Sequence, residues 1–358
     1  MLEARDLVVI RGGQRILHVP SLHLRRGEVL SIIGPNGSGK STLLLTLALL
    51  LRPNHGEIIF YGKPVGPGGS GAMVYRRRTA TVFQEPLLLN TSVERNVATG
   101  LRLRGMPGPE VKARVTEWLG RFGIAHLARR SARALSGGEA QRTSLARAFV
   151  LCPEILFLDE PFSSLDAPAK AAILDDVKRV IQETGVTAVF VTHDRDEALS
   201  LGDRIGVLMQ GEIRQVDSAT NVMQSPLSEE IAAFIGVDTV VPGVVSNCEE
   251  GLTRIDVGGH VIEAVGDCSI SQRVLVCLRP EDITVSMVGE NRITSARNRL
   301  SGVILKLSPH GPMLKVKVDC GFPLVAAVTR QSATDLGLEV GRSVAVSFKA
   351  SAIHLIRK

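Results

Sequence analysis

The stretch "GPNGSGKST" (Gly34, Pro35, Asn36, Gly37, Ser38, Gly39, Lys40, Ser41, Thr42) holds the most specific chemistry in this 358-residue chain. An apolar run, "EVLSII", precedes it and a helix-forming run, "LLLTLALLL", follows. Strand, glycine-rich turn and helix in that order make a cradle for phosphates. The glycines keep Cβ atoms out of the way, so that backbone N–H groups wrap the anion. The helix directs its N-terminus at the same point. Lys40 is expected to bridge β- and γ-phosphates, with the Ser41 hydroxyl on Mg²⁺. A second apolar run, "ILFLDE", ends on two acids. Asp159 suits a Mg²⁺ shell, and Glu160 is placed to polarise an attacking water as general base. His193, at the tip of "TAVFVTH", is placed to reach the γ-phosphate from the side. A separate glycine-serine loop, "LSGGEAQR" (135–142), also stands ahead of a helix and has the make-up of an anion site.

Residues 1–235 alternate apolar strands with helical stretches, the signature of an α/β domain. "EVLSIIG" (28–34), "ILFLDE" (155–160), "TAVFVTH" (187–193) and "RIGVLMQ" (204–210) are continuous apolar runs of the kind buried on both faces of a parallel sheet. Between Gln84 and Gln141 the text turns helical and arginine-rich, which predicts an inserted helical subdomain over about 85–150. From 236 to 358 short alternating strands separated by Gly, Asp and Pro turns predict a small all-β domain, a barrel of oligonucleotide-binding outline. That tail divides into halves near 237–290 and 291–358, with "RVLVCLRPEDITVS" and "VSFKASAIHLI" among its strand-like runs.

Composition limits the partners. A net charge of +6 comes with scattered arginines, densest at Arg76-Arg77-Arg78, and with only 4% aromatics. There is no basic tail and no stacking platform for nucleic acid. Five widely spaced cysteines with no C-x-x-C pair argue against a disulfide framework or zinc site and suit a reducing cytosol. The N-terminus "MLEARDLVVI" does not read as a signal peptide. "LLLTLALLL" is far short of the roughly 20 residues that cross a bilayer, so any membrane role is borrowed from a partner.

The ordered set of phosphate loop, "VFQEP" with Gln84, "LSGGEAQR", "LDEP", "SSLD" and "VTHD" resembles the ATP-binding subunit of importer-type ABC transporters across residues 1–235. The resemblance implies an α/β P-loop NTPase core that binds ATP and Mg²⁺, works as a head-to-tail homodimer and lies peripherally on the cytoplasmic face of the membrane. It also implies transmembrane permease subunits and, indirectly, a periplasmic or extracellular binding protein. Ser136, Gly137 and Gly138 would bind the γ-phosphate held by the partner's Lys40, which explains the second loop: one loop alone is half a site. Gln84 would contact Mg²⁺ and the attacking water and report to the permease, near which its coupling helix docks. Asp166 of "SSLD" would cross the dimer interface, while Glu139 and Gln141 shape the helix start. One position departs from the pattern. Ile10 and Arg11 stand where the family has an adenine-stacking aromatic, so Arg11 is expected to stack through its guanidinium plane or to leave base recognition weak.

The tail resembles the TOBE superfamily. "SARNRLSG" (295–302), "AAVTRQSATDLGL" and "VSFKASAIHLI" look like a molybdate/tungstate-binding Mop module. By that resemblance Ser295, Arg297, Thr329, Ser332 and Lys349 fall where an oxyanion is bound, with backbone N–H groups around Ala350 and Ser351. The cargo implied is tungstate or molybdate. Related tails follow sugar- and sulfate-type ATPases too, so sulfate, sugar or metal cargo stays open as an alternative, as does a tail that only holds the dimer together. ABC-type ATPases of DNA repair separate their halves by long coiled coils, and translation factors carry two cassettes. Neither feature is found in this sequence. An oxyanion-binding regulator with an idle ATPase would not need Glu160 and His193.

Overall fold

The continuous apolar runs become four adjacent strands of one large sheet. The computed structural model describes residues 1–66, 68–289 and 294–358. They divide into two units, Met1–Val222 and Met223–Lys358. The division falls ahead of the 235/236 boundary expected from composition. The reason is local: the His354 ring bonds Pro226 O at 3.0 Å and Arg279 donates to Met223 O, tying the intervening segment to the second unit.

The first unit contains β1 (Leu2–Arg11), β2 (Gln14–Leu24), β3 (Val29–Ile33), β4 (His55–Phe60), β5 (Lys63–Val65), β6 (Thr79–Val82), β7 (Ile155–Asp159), β8 (Thr187–Thr192), β9 (Arg204–Met209) and β10 (Glu212–Ser218). They form one sheet in the order β5-β4-β1-β2-β10-β9-β3-β8-β7-β6. Its β9-β3-β8-β7-β6 portion is parallel. Every residue of β3, β7 and β8 is buried, which is why these strands read as unbroken apolar runs rather than alternating ones.

Helices α1 (Lys40–Leu47), α2 (Ser70–Arg78), α3 (Val93–Leu103), α4 (Gly108–Arg121), α5 (Gly137–Phe149), α6 (Ala167–Thr184) and α7 (Arg195–Leu201) accompany this sheet. Register fixes where the functional loops leave it. Ile33 pairs with Thr192, Asp159 with Val191 and Val82 with Leu158. The parallel strands therefore end level, and the residues after them emerge along one edge, the usual ligand edge of such sheets. Helices α3, α4 and α5 build the helical insert on a core that includes Val97, Leu101, Val115 and Leu145. In it Trp118 stacks on Phe149 at 5.5 Å, with Phe122 at 5.7 Å from the same ring.

The second unit contains β11 (Thr239–Glu249), β12 (Leu252–Val257), β13 (His260–Val265), β14 (Arg273–Leu278), β15 (Thr284–Met287), β16 (Asn298–His310), β17 (Met313–Asp319), β18 (Pro323–Thr329), β19 (Ser343–Phe348) and β20 (His354–Arg357). Short helices α8 (Ala219–Gln224), α9 (Glu229–Phe234) and α10 (Arg330–Asp335) complete the chain. The strands form two antiparallel five-stranded sheets, β13-β12-β11-β14-β20 and β15-β19-β16-β17-β18.

The expected halves are therefore not separate. Each sequence half gives its last strand to the other: β15 pairs with β19, and β20 pairs with β14. A 3₁₀ turn precedes each crossing, Pro280–Asp282 and Ala350–Ala352. The runs "RVLVCLRPEDITVS" and "VSFKASAIHLI", each read as strand text, are thus two strands in two sheets. One core, including Val276, Val285, Val346 and Ile353, lies beneath both.

Candidate active site

Gly34 leaves β3 at a point where no side chain fits. A Cβ there would lie 2.0 Å from Leu208 O and 2.8 Å from Ser38 Oγ. Gly37 and Gly39 have φ of 78° and 102°, the left-handed region that favours glycine. The turn so formed places Gly39 as N-cap of α1 with no side-chain cap, so the first N–H groups of the helix are left for an anion. The buried Lys40 folds back over the turn, and its Nζ donates to Gly34 O and Pro35 O, each at 3.1 Å. Pro35, Asn36 and Thr42 complete the cradle. Ser38 Oγ is buried without a hydrogen-bond partner among the described residues, an orphan that a phosphate oxygen would satisfy.

The ends of β7 and β8 close on this loop. The Ser41 hydroxyl donates to Asp159 Oδ1 at 2.9 Å. Burial raises the Asp159 carboxyl above its ordinary value, and the neighbouring Glu160 pushes the same way, against the Ser41 bond and the Lys40 charge. Glu160 stands one residue beyond β7 at a φ of 41°, a conformation costly for a non-glycine residue and concentrated at functional sites. Its carboxylate lies 3.7 Å from Lys40 Nζ through Oε1 and 2.8 Å from His193 Nδ1 through Oε2. Lys40, Ser41, Asp159, Glu160 and His193 thus form one cluster. Gln84 is exposed two residues beyond β6, level in register with Glu160 beyond β7.

The signature loop, "LSGGEAQR" (135–142), makes its own structure. Ser136 caps α5 in a reciprocal capping box: Glu139 N donates to Ser136 Oγ at 3.3 Å and Ser136 N donates to Glu139 Oε2 at 2.7 Å. That second bond holds the Glu139 carboxyl below its usual range. Ser136 and Gly137 are exposed, and the hydrogen bonds of the cap involve no residue of the phosphate loop. Gln141, one turn on, is fully buried with neither amide atom bonded among the described residues. Asp166 caps α6, accepting from Ala169 N at 2.9 Å, and is exposed. Arg11 and Ile10 are exposed at the end of β1, before a Gly12-Gly13 turn.

In the tail the anticipated anion residues do not converge within one chain. Asn298 pairs with Phe348, so their neighbours Arg297 and Lys349 lie together, with Ser295 just beyond. Thr329 caps α10 with Ser332 and pairs with Met313, which pairs with His310 at the far end of β16. The 13 residues of β16 separate the two groups, roughly 30–40 Å of strand. Arg297 is already engaged, its Nε 2.7 Å from Glu263 Oε2.

A network that motif reading missed stands behind His193. Lys170 of α6 contacts Asp194 at 2.5 Å and Glu197 at 2.6 Å. The only hint in sequence was the acid spacing of "HDRDE".

The chain is similar to known proteins along most of its length. The profile of the ABC transporter family matches residues 17–163, and that of the TOBE domain matches 294–355. Over 343 residues the chain is 38% identical to the molybdate/tungstate import ATP-binding protein WtpC of Pyrococcus horikoshii, covering 94% of each. It is 33% identical to the spermidine/putrescine import ATP-binding protein PotA of Mesorhizobium japonicum, over 94% of this chain and 91% of that one. The dimeric post-hydrolysis structure of the ATP-binding cassette MJ0796, bound to ADP and Pi, matches with a TM-score of 0.56 at 30% identity, over 61% of this chain and 99% of that one. The chain belongs to the ABC transporter family as one of its ATPases, an ATP-binding cassette followed by a TOBE domain.

Proposed function

We propose that this ATPase hydrolyses ATP with Mg²⁺ at sites shared across a head-to-tail homodimer, and that the cycle drives import of a tetrahedral oxyanion, molybdate or tungstate, through separate transmembrane permease subunits. The observation that carries the catalytic part is the Lys40–Glu160–His193 cluster beside the Ser41–Asp159 pair. The donor set of a hydroxyl and a carboxylate, with Gln84 level beside it, fits a hard divalent cation. Asp159, unfavourably buried as an anion, is the group that a cation would relieve. Ser41, Asp159 and Gln84 would hold Mg²⁺, whose charge offsets that of the β- and γ-phosphates.

Lys40 and the backbone of residues 34–42 bind the phosphates. Glu160 takes the proton of the attacking water, and His193 holds that carboxylate in place. Ser136 and Gly137 are exposed and Gly138 is part-buried at the start of α5, and among the described residues their cap makes no bond to the phosphate loop of the same chain, which supports their serving the γ-phosphate of a second copy. Asp166, exposed at the start of α6, would meet that copy too. The cassette would act from the cytoplasmic face on permeases that span the membrane; among the described residues of this chain no helix is long and apolar enough to cross it.

The cargo reading rests on the likeness to the molybdate/tungstate import protein across nearly the whole chain, tail included. In a pair of tails, Ser295, Arg297 and Lys349 of one chain with Thr329 and Ser332 of the other would supply the donors of an oxyanion site. Bound oxyanion would bias the dimer toward a transport-incompetent state, provided its affinity differs between the states. Uptake of radiolabelled tungstate, molybdate, sulfate and spermidine by cells lacking this chain tests the reading. Loss of tungstate or molybdate uptake, restored by the parent chain and not by Glu160→Gln, is expected. Intact oxyanion uptake with loss of another cargo would refute it.

A further inference from the structure

We infer that Lys170 is a positioning residue for hydrolysis, holding His193 against Glu160 from the helix whose first turn carries Asp166. The inference rests on the catalytic roles proposed for Glu160 and His193.

The placement of Lys170 is costly for its own helix. Asp166 caps α6, and Lys170 N makes a first-turn bond to Asp166 O at 2.9 Å. A cation so near a helix N-terminus opposes the helix dipole. What holds it there lies outside α6. Lys170 Nζ is 2.5 Å from Asp194 Oδ2 and 2.6 Å from Glu197 Oε1, and the Glu197 side chain is only 4% exposed. Burial alone would lower the Lys170 ammonium, but the two carboxylates outweigh it and hold it above its ordinary range.

Both carboxylates control the residues flanking His193. Thr192, on one side, donates through Oγ1 to Glu197 Oε2 at 2.6 Å. Asp194, on the other side, donates through its N–H to the same Thr192 hydroxyl at 3.0 Å. Asp194 also caps α7, accepting from Asp196 N at 2.9 Å and Glu197 N at 3.2 Å. The backbone on both sides of His193 is thereby fixed to one ammonium group. The imidazole itself is half exposed, and among the described residues its polar partner is Glu160 Oε2 at 2.8 Å. Removing Lys170 leaves two carboxylates side by side, one of them buried without its cation. The arrangement relaxes by moving the 192–197 segment or by taking up a proton. Either way His193 loses its fixed backbone, and misplacement near the chemistry by about 1 Å costs on the order of 10²-fold in rate. The same connection makes the Asp166 turn and the His193 segment move together, so a change at Asp166 reaches the hydrolytic pair.

The test uses the full-length chain. Lys170→Ala is expected to lower kcat about 10- to 100-fold, with ATP affinity within about twofold of the parent because the phosphate loop is untouched. Lys170→Arg, which restores a cation, should recover most of the rate. Lys170→Met keeps the packing of the stem without the charge and should behave like Lys170→Ala, which separates charge from folding. The decisive step adds Lys170→Ala to His193→Ala and measures single-turnover hydrolysis. A residue acting through His193 adds no further loss there. Full kcat in Lys170→Met, or the same loss with and without His193, would overturn the role given to Lys170. Full activity in His193→Ala would instead overturn the catalytic reading beneath it.

Discussion

Replacing Glu160 by Gln changes one oxygen to an amide and little else. The side chain keeps its length and its φ of 41°, and Gln can still accept from His193, which lies 2.8 Å from Glu160 Oε2. Lys40 remains bonded to Gly34 O and Pro35 O, and Ser41 remains on Asp159. ATP binding should therefore be retained within a few-fold. What disappears is the group proposed to take the water proton. General-base assistance is worth about 10²–10⁴ in rate, or roughly 3–5 kcal/mol of barrier. The assay is steady-state phosphate release, with nucleotide affinity by fluorescence titration and mass by light scattering in ATP. The expected result is a kcat lowered by about 10²-fold or more, unchanged affinity, and a dimer that persists in ATP. A kcat within about threefold of the parent would refute the assignment of Glu160, because loss of a general base costs about 10²-fold or more.

Two further outcomes follow from the same geometry. Burial raises the Asp159 carboxyl above its ordinary value of 3.8, so its ionisation opposes folding of the nucleotide-free chain. The favourable neutral form is present below that value, and its contribution is lost as pH rises through the folded value. Asp159→Asn should therefore raise Tm near pH 7, by a margin that shrinks toward about pH 4, while abolishing Mg²⁺-dependent turnover. A lowered Tm at neutral pH would contradict this. Deleting residues 354–358 removes β20 from β14 and with it Ile356, 7% exposed. Loss of that side chain alone costs about 1.5–3 kcal/mol, so calorimetry should show the tail melting earlier as one transition, with ATP binding kept.

The candidate nucleotide site was legible because each of its parts is a short contiguous motif at a strand end. Residues 34–42, Asp159-Glu160 and His193 need only the parallel register of β3, β7 and β8 to come together. Nothing else in the fold has to be known. The tail differs. Whether Arg297, Thr329 and Lys349 meet depends on strand register and on which sheet each strand joins, and alternation of apolar residues fixes neither. Pro280 within "LRPEDITV" was the one visible sign that a strand breaks there and resumes elsewhere. Lys170 was illegible for a related reason. On α6 it reads as an ordinary solvated charge, and its partners come from the strand–helix junction at 192–197, brought beside it only by the crossover.

The claim on which the account turns is that the phosphate loop of one chain works with the signature loop of another. Lys40→Ala and Ser136→Arg chains, each purified full length, are assayed alone and then mixed. Each alone has two damaged composite sites. If the loops pair head to tail, a mixed dimer has one site with Lys40 and Ser136 both intact. The account predicts near-zero hydrolysis for either variant and recovery on equal mixing to at most roughly a quarter of the parent rate per chain. Parent-like activity in the Ser136→Arg chain alone, or no recovery in mixtures that demonstrably exchange subunits, would contradict the shared site.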